Sequence, residues 1–275
     1  MPNSANLLAP PRGALVADAL PGEPVVKPPG EPVVNALFLT AVKIFTFDRT
    51  KPLTNASGFF FEREERLFLV TSRHVMYDAP TKHFPDRIQV EIHVDPENVT
   101  QSTGFSIPLY EDRKSLWRQG KDGAGEIDVA VIELERAALP AGTLLRAFGP
   151  AHLHCEGEIV EPGASVLVVG FPLGFHDTLH HLPVVRQAGI ASSFGLRFQG
   201  EGYFLTDART HRGGSGAPVV MRIAHPEPGL GDLPWRLLGV HSARLDMGTR
   251  DTKLDEALGL NCAWYADILL TLTED

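Results

Sequence analysis

Residues 210–220 read THRGGSGAPVV. A serine set among glycines has two readings: a flexible turn before a strand, or a nucleophile carried on a tight backbone bend. Taken alone the turn is the ordinary reading, so the decision rests on what stands elsewhere in the chain. A serine hydroxyl is a poor nucleophile at neutral pH. It needs a base beside it, a group that orients the base, and donors for the developing oxyanion.

All of these have candidates. His74 follows the apolar run LFLV in VTSRHV, so a rigid element carries its imidazole. Asp128 lies inside IDVAVIEL, where a carboxylate among apolar neighbours is costly unless paired, and a histidine is a fitting partner. Gly213 and Gly214 permit unusual dihedrals by which the amides of Gly213 and Ser215 face one oxygen, and Gly216 and Ala217 are expected to leave room for a substrate. The chain order His, Asp, Ser is that of chymotrypsin-type triads, unlike the subtilisin or α/β-hydrolase orders.

Around these residues the pattern is β-rich. Gly (26) and Pro (22) are plentiful and apolar residues fall in short runs, which favours strands. Residues 1–33, with the echo GEPVVKPPGEPVVN, read as an extended or disordered Pro/Gly-rich leader. ALFLTAVKIFTF and GFFFEREERLFLVTS give a hairpin signal. RIQVEIHV alternates, with Ile88, Val90, Ile92 and Val94 on one face. EIDVAVIEL is another strand, and the segment between the two, through EDRKSLWRQGKDGAGE, reads as a long surface loop. Further strands are expected at ASVLVVGFP, PVVRQAGIAS, GYFLTDA, APVVMRIA and WRLLGVHSA, with a short helix in the closing WYADILLTL.

TSRHV, IDVAVIEL, GFPLG, PVVRQAGIAS, TDARTHRGGSGAPVV and LGVHSA together resemble the trypsin-like (chymotrypsin-fold) serine peptidases in their bacterial branch. TDA before the Gly-x-Ser-Gly core is similar to high-temperature-requirement proteases, and GVHS resembles glutamyl endopeptidases. The resemblance implies an all-β fold: two six-stranded antiparallel β-barrels with the triad between them and a short C-terminal helix on the second. The barrels are expected at 34–145, carrying His74 and Asp128, and at 146–275, carrying Ser215. It further implies His74 as general base, Asp128 as its orienter, Ser215 as the nucleophile that forms an acyl-enzyme, and Gly213 and Ser215 as oxyanion donors. Ser242 matches a family serine that binds the substrate backbone and supports the aspartate. Gly214 stands where digestive relatives carry the aspartate used in zymogen activation, so no such activation is expected. The peptide-binding domain that commonly follows in the high-temperature-requirement proteins is not expected either.

Thr210 and His241 fall where glutamyl endopeptidases bind an acidic side chain, with Arg209 and Arg244 adding positive potential, so Glu or Gln is the expected residue at the cleaved position. A hydroxyl and an imidazole are sensible donors to a carboxylate. The alternative is a protease-fold binding or latent regulatory module without constitutive proteolysis.

Other chemistries find little support. HLHC at 152–155 and HDTLHH at 176–181 read as surface or loop histidines rather than metal ligands, and neither a P-loop nor HExxH occurs, so no metal or cofactor is expected. A net charge of −9 without a basic tract argues against nucleic acid. No run approaches the roughly 18 apolar residues of a membrane span. The N-terminus does not read as a signal peptide, and Cys155 and Cys262 are too few for a disulfide framework, so a soluble cytoplasmic protein is expected; the resemblance to the peptidases implies protein or peptide substrates. Oligomeric state is not legible in the sequence.

Overall fold

The computed structural model describes residues 34–155, 157–209, 211–224, 229–242 and 259–274. Residues 41–134 supply nine strands: β1 (Ala41–Asp48), β2 (Lys51–Arg63), β3 (Arg66–Thr71), β4 (Arg87–His93), β5 (Ser102–Pro108), β6 (Tyr110–Glu111), β7 (Lys114–Ser115), β8 (Trp117–Asp122) and β9 (Gly125–Leu134). Seven of them pair antiparallel in the order β5-β4-β1-β2-β3-β9-β8, while β6 and β7 form a separate hairpin. The Leu116 amide bonds to the Leu109 carbonyl at 2.9 Å, bringing the chain after β5 back toward the start of β8.

The second sheet holds β10 (Ser165–Gly170), β11 (Val184–Gly189), β12 (Tyr203–Thr206), β13 (Pro218–Arg222), β14 (Trp235–Ser242) and β15 (Asn261–Tyr265). Its order is β11-β10-β13-β14-β15-β12, and a bridge between Ile190 and Thr206 joins the two ends, so the sheet closes on itself. The molecule is thus built from two barrel-like antiparallel sheets, the first with seven strands where six were expected.

Strand β3 explains how the sheets meet. Successive side chains of a strand face opposite ways. Leu67 and Leu69 enter a core with Val42, Ile44, Phe60, Ile88 and Ile132, inside the first sheet. Phe68 and Val70 enter a different one with Phe59, Phe61 and Phe148, which also takes Leu153, Val169, Leu237 and Trp264 from the second half. A third core, including Val166, Val168, Phe204, Val219 and Leu238, fills the second sheet. Burial on both faces is why LFLV and FFF are unbroken apolar runs rather than alternating ones. Each fully buried Phe contributes on the order of 2–3 kcal/mol relative to exposure.

Three local readings are corrected. The segment read as a surface loop contains β5, which pairs with β4, and β6, β7 and β8, because Trp117 is buried and tight turns at Asp112–Arg113, both with positive φ, and at Asp122 double the chain back. Asp122 Oδ1 accepts the Ala124 amide at 2.8 Å and the Gly125 amide at 3.2 Å, an Asx turn. The apolar start of the closing segment, Trp264 and Tyr265, belongs to β15, leaving a helix of five residues, α2 (Ile268–Leu272). That helix leans on the first sheet rather than the second: Ile268 lies over Gly120 of β8, and Leu269 and Leu272 close the shared core beside Ile127.

Candidate active site

The chain leaves β3 into a single helical turn, α1 (Arg73–Met76), which carries His74. Its backbone amide donates to Asp128 Oδ1 at 2.9 Å, and its ring Nδ1 lies 2.7 Å from Asp128 Oδ2. Ser242, at the end of β14, donates its hydroxyl to the same Oδ2 at 2.8 Å. A carboxylate only accepts, so Nδ1 carries the proton and Nε2 keeps its lone pair. Burial pushes the Asp128 carboxyl up, but the charge of His74 and the hydrogen bonds from His74 and Ser242 outweigh it and hold the group below the usual carboxylate range. A charge inside IDVAVIEL is therefore tolerated because all its partners are supplied.

Ser215 sits in two consecutive turns, closed by Gly214 N–H to His211 C=O at 3.1 Å and Ala217 N–H to Gly214 C=O at 3.0 Å. Gly213 (φ 90°) and Gly216 (φ 85°) take left-handed conformations that side chains disfavour. The segment is fastened to the first sheet: the Ser57 amide donates to the Ser215 carbonyl at 2.9 Å, and Thr71 Oγ1 donates to the Ser57 carbonyl at 2.7 Å. The His241 carbonyl accepts both the Gly216 amide at 2.8 Å and the Ser72 hydroxyl at 3.3 Å. Ser72 lies two residues before His74 and Gly216 one after Ser215, so a single oxygen ties the two segments together. The Ser215 residue is 7% exposed. Among the described residues its hydroxyl makes no hydrogen bond. Catalytic contacts of this kind are often long in free enzymes and tighten around substrate.

Gly216 leaves no room for substrate, contrary to expectation. A Cβ there would lie 2.2 Å from both the Ser57 carbonyl oxygen and Thr71 Oγ1, so the missing side chain lets the two sheets approach.

The peptide before Gly213 is held from outside. Leu173 N–H donates to the Arg212 carbonyl at 2.5 Å, and the opposed C=O and N–H of a planar trans peptide then turn the Gly213 N–H away from Leu173. Phe171 N–H donates to Ser57 Oγ at 2.9 Å, and that hydroxyl donates to the Gly213 carbonyl at 2.8 Å. Among the described residues the Gly213 and Ser215 amides have no acceptor, whereas the Gly214 and Gly216 amides are both used. Ser57 and Leu173 were not legible as site residues; the one trace was a polar residue inside ASGFF.

His241 is fully buried, with both ring nitrogens lacking hydrogen-bond partners among the described residues, and its ring lies 3.5–3.6 Å from the Cβ position of Gly214. Burial, with a smaller push from His74, lowers it to about 4, so the imidazole is neutral at physiological pH. Thr210 and Arg244 lie outside the described residues. Arg209 is exposed and lines an open depression with Asp207 and β11 residues Val185–Gly189, so the structure groups it with that strand.

The histidine groups part company. In HLHC, His152 Nδ1 accepts the Gly149 amide at 2.9 Å and His154 Nε2 lies 2.8 Å from the Glu158 carbonyl. In HDTLHH, His180 pairs with Asp177 at 2.7 Å, but His176 and His181 converge on Glu91 of β4 with all three ligand atoms within 4.8 Å of one another. The reading as ordinary loop histidines missed this, since Glu91 is remote in sequence. Among the described residues no helix is long and apolar enough to cross a membrane.

The model of the trypsin-like peptidase domain family matches residues 56–223. A similar solved structure is the crystal structure of the serine endoprotease from Yersinia pestis, 16% identical with a TM-score of 0.49; the match covers 88% of this chain and 65% of that one. No curated protein sequence matches the chain.

Proposed function

This chain belongs to the trypsin-like peptidase domain family, and from that premise we propose that it is a serine endopeptidase, with barrels at 34–145 and 146–275. The reading is supported above all by one arrangement: a bonded His74–Asp128 pair whose segment is tied through the His241 carbonyl to the Ser215 turn, where the Gly213 and Ser215 amides are unclaimed among the described residues. His74 Nε2 takes the Ser215 proton as Oγ attacks the scissile carbonyl. The Gly213 and Ser215 amides receive the oxyanion, and His74 then protonates the departing amine. Water, activated by the same imidazole, releases the acyl group. Asp128 fixes the tautomer, and Ser242 holds Asp128.

His241 supports a preference for Glu, with Gln accepted, at the cleaved position. Two unpartnered buried nitrogens are costly unless a substrate group meets them, and a neutral imidazole offers one N–H to a carboxylate or amide oxygen. A peptide library tests this: loss of the Glu and Gln preference in His241→Ala supports it, and an unchanged profile refutes it.

The absent Ser215 hydroxyl contact favours a second reading, a latent module that requires a trigger. A fluorophosphonate probe separates the two. Labelling of the wild-type protein that vanishes in Ser215→Ala supports the enzyme, and folded protein that never labels supports latency.

A further inference from the structure

The geometry points to a divalent transition-metal site, of the zinc class, formed by Glu91, His176 and His181, which clamps the loop that supports the Ser215 turn.

The ligands come from two places. Glu91 projects from β4 of the first sheet, while His176 and His181 flank a narrow turn between β10 and β11 of the second. That turn is closed by a bridge between Asp177 and Leu182, with Asp177 Oδ1 accepting the Leu179 amide at 2.9 Å and the His180 amide at 3.2 Å. His93 Nε2, 2.7 Å from the His180 carbonyl, fastens the turn to the end of β4. The two imidazoles stand with ring centroids 6.3 Å apart.

The supporting contacts are those a metal ligand needs. His176 Nδ1 lies 2.7 Å from the Gly174 carbonyl, which can only accept, so Nδ1 is the protonated nitrogen and Nε2 is left with its lone pair. The Phe171 ring packs edge-on against it. Ser102 donates to Glu91 Oε1 at 3.0 Å and orients the carboxylate. His181 Nδ1 is buried and lies 2.7 Å from that same Oε1, yet the contact lacks hydrogen-bond alignment and the nitrogen has no other partner. A ring nitrogen and a carboxylate oxygen this close, with no hydrogen bond joining them, leave both atoms available to ligate one cation lying to their side. His181 keeps a left-handed backbone (φ 55°) that a side chain disfavours, so surrounding contacts hold it there. Lys43 is the competing cation. It makes no ion pair with Glu91 among the described residues, and its ammonium lies 4.7 Å from the Phe45 ring centroid.

Two imidazoles and one carboxylate, with a position open for water, form a recurrent zinc donor set. Between His176 and the oxyanion peptide there is little chain: Phe171 and Leu173 of the same loop hold Ser57 and the Arg212 carbonyl. Leu173, itself at φ 54°, is exposed, so its side chain adds little to hold this loop. A metal at Glu91 fastens the far end of this loop to the first sheet.

Metal binding stands apart from the peptidase reading and is measured on the Ser215→Ala protein, stripped with chelator and titrated with Zn²⁺ by calorimetry. One equivalent is expected, weakened at least ~10-fold in Glu91→Gln and in His176→Ala/His181→Ala, the scale on which metal sites lose affinity when their shell is disturbed, and unaltered in His154→Ala. X-ray absorption should show imidazole nitrogens at ~2.0–2.1 Å. No saturable binding, or equal binding by the Glu91 and His176/His181 variants, overturns the site. The clamp itself rests on the peptidase reading. In wild-type protein Zn²⁺ should speed fluorophosphonate labelling several-fold and do nothing in Glu91→Gln; bound metal without a change in labelling overturns it.

Discussion

Ser57 of β2 donates its hydroxyl to the carbonyl oxygen of Gly213 at 2.8 Å, across 156 positions of sequence. The Ser57 hydroxyl oxygen in turn accepts from Phe171 N–H, so one side chain sets a peptide in the turn that holds the nucleophile. Ser57→Ala should lower kcat by up to ~10²-fold, the scale of losing one oxyanion donor, with KM little changed. Steady-state kinetics on a peptide substrate check this, and an unaltered kcat removes Ser57 from the mechanism.

Asp128→Asn should keep the fold but favour the wrong His74 tautomer, lowering kcat by ~10⁴-fold. Ser242→Ala, which removes one of three hydrogen bonds to the carboxylate, should cost less, on the order of 10-fold. If the two substitutions prove equal, Ser242 does more than position Asp128.

Gly216→Ala should destabilise the protein by roughly 2–5 kcal/mol, combining a strained positive φ with overpacking against the Ser57 carbonyl. Denaturant titration measures it. A loss of activity at full stability would instead mean that the position contacts substrate.

His241 predicts acid lability. Its folded value, about 4, lies below the ordinary 6.5, so between those limits the unfolded chain binds more protons and stability rises with pH. The contribution is intact above about pH 6.5 and is lost as the pH falls toward 4, about 3 kcal/mol in all. His152, also lowered by burial, adds in the same direction. His241→Gln should flatten the melting temperature against pH across this window, and an unchanged slope assigns the effect elsewhere.

Chemistry concentrated in short motifs was readable before the fold was known. His74 and Asp128 stand at the ends of apolar runs that could only be strands, and a lone carboxylate in IDVAVIEL announces a partner. What escaped detection depends on contacts between remote segments. Nothing near Glu91 signals His176, nothing near Ser57 signals Gly213, and no local pattern says that Gly216 is needed by Thr71. Strand β8 was hidden for another reason: WRQGKD has one buried anchor, Trp117, and is otherwise polar, so its pairing with β9 is set by the backbone rather than by alternation.

Strand β3 feeds Leu67 and Leu69 into one core and Phe68 and Val70 into another shared with the C-terminal half. Neither half can melt without exposing the other's apolar surface, so heating should give a single calorimetric transition for both. Fragments separated between β9 and β10 should remain insoluble or molten until mixed.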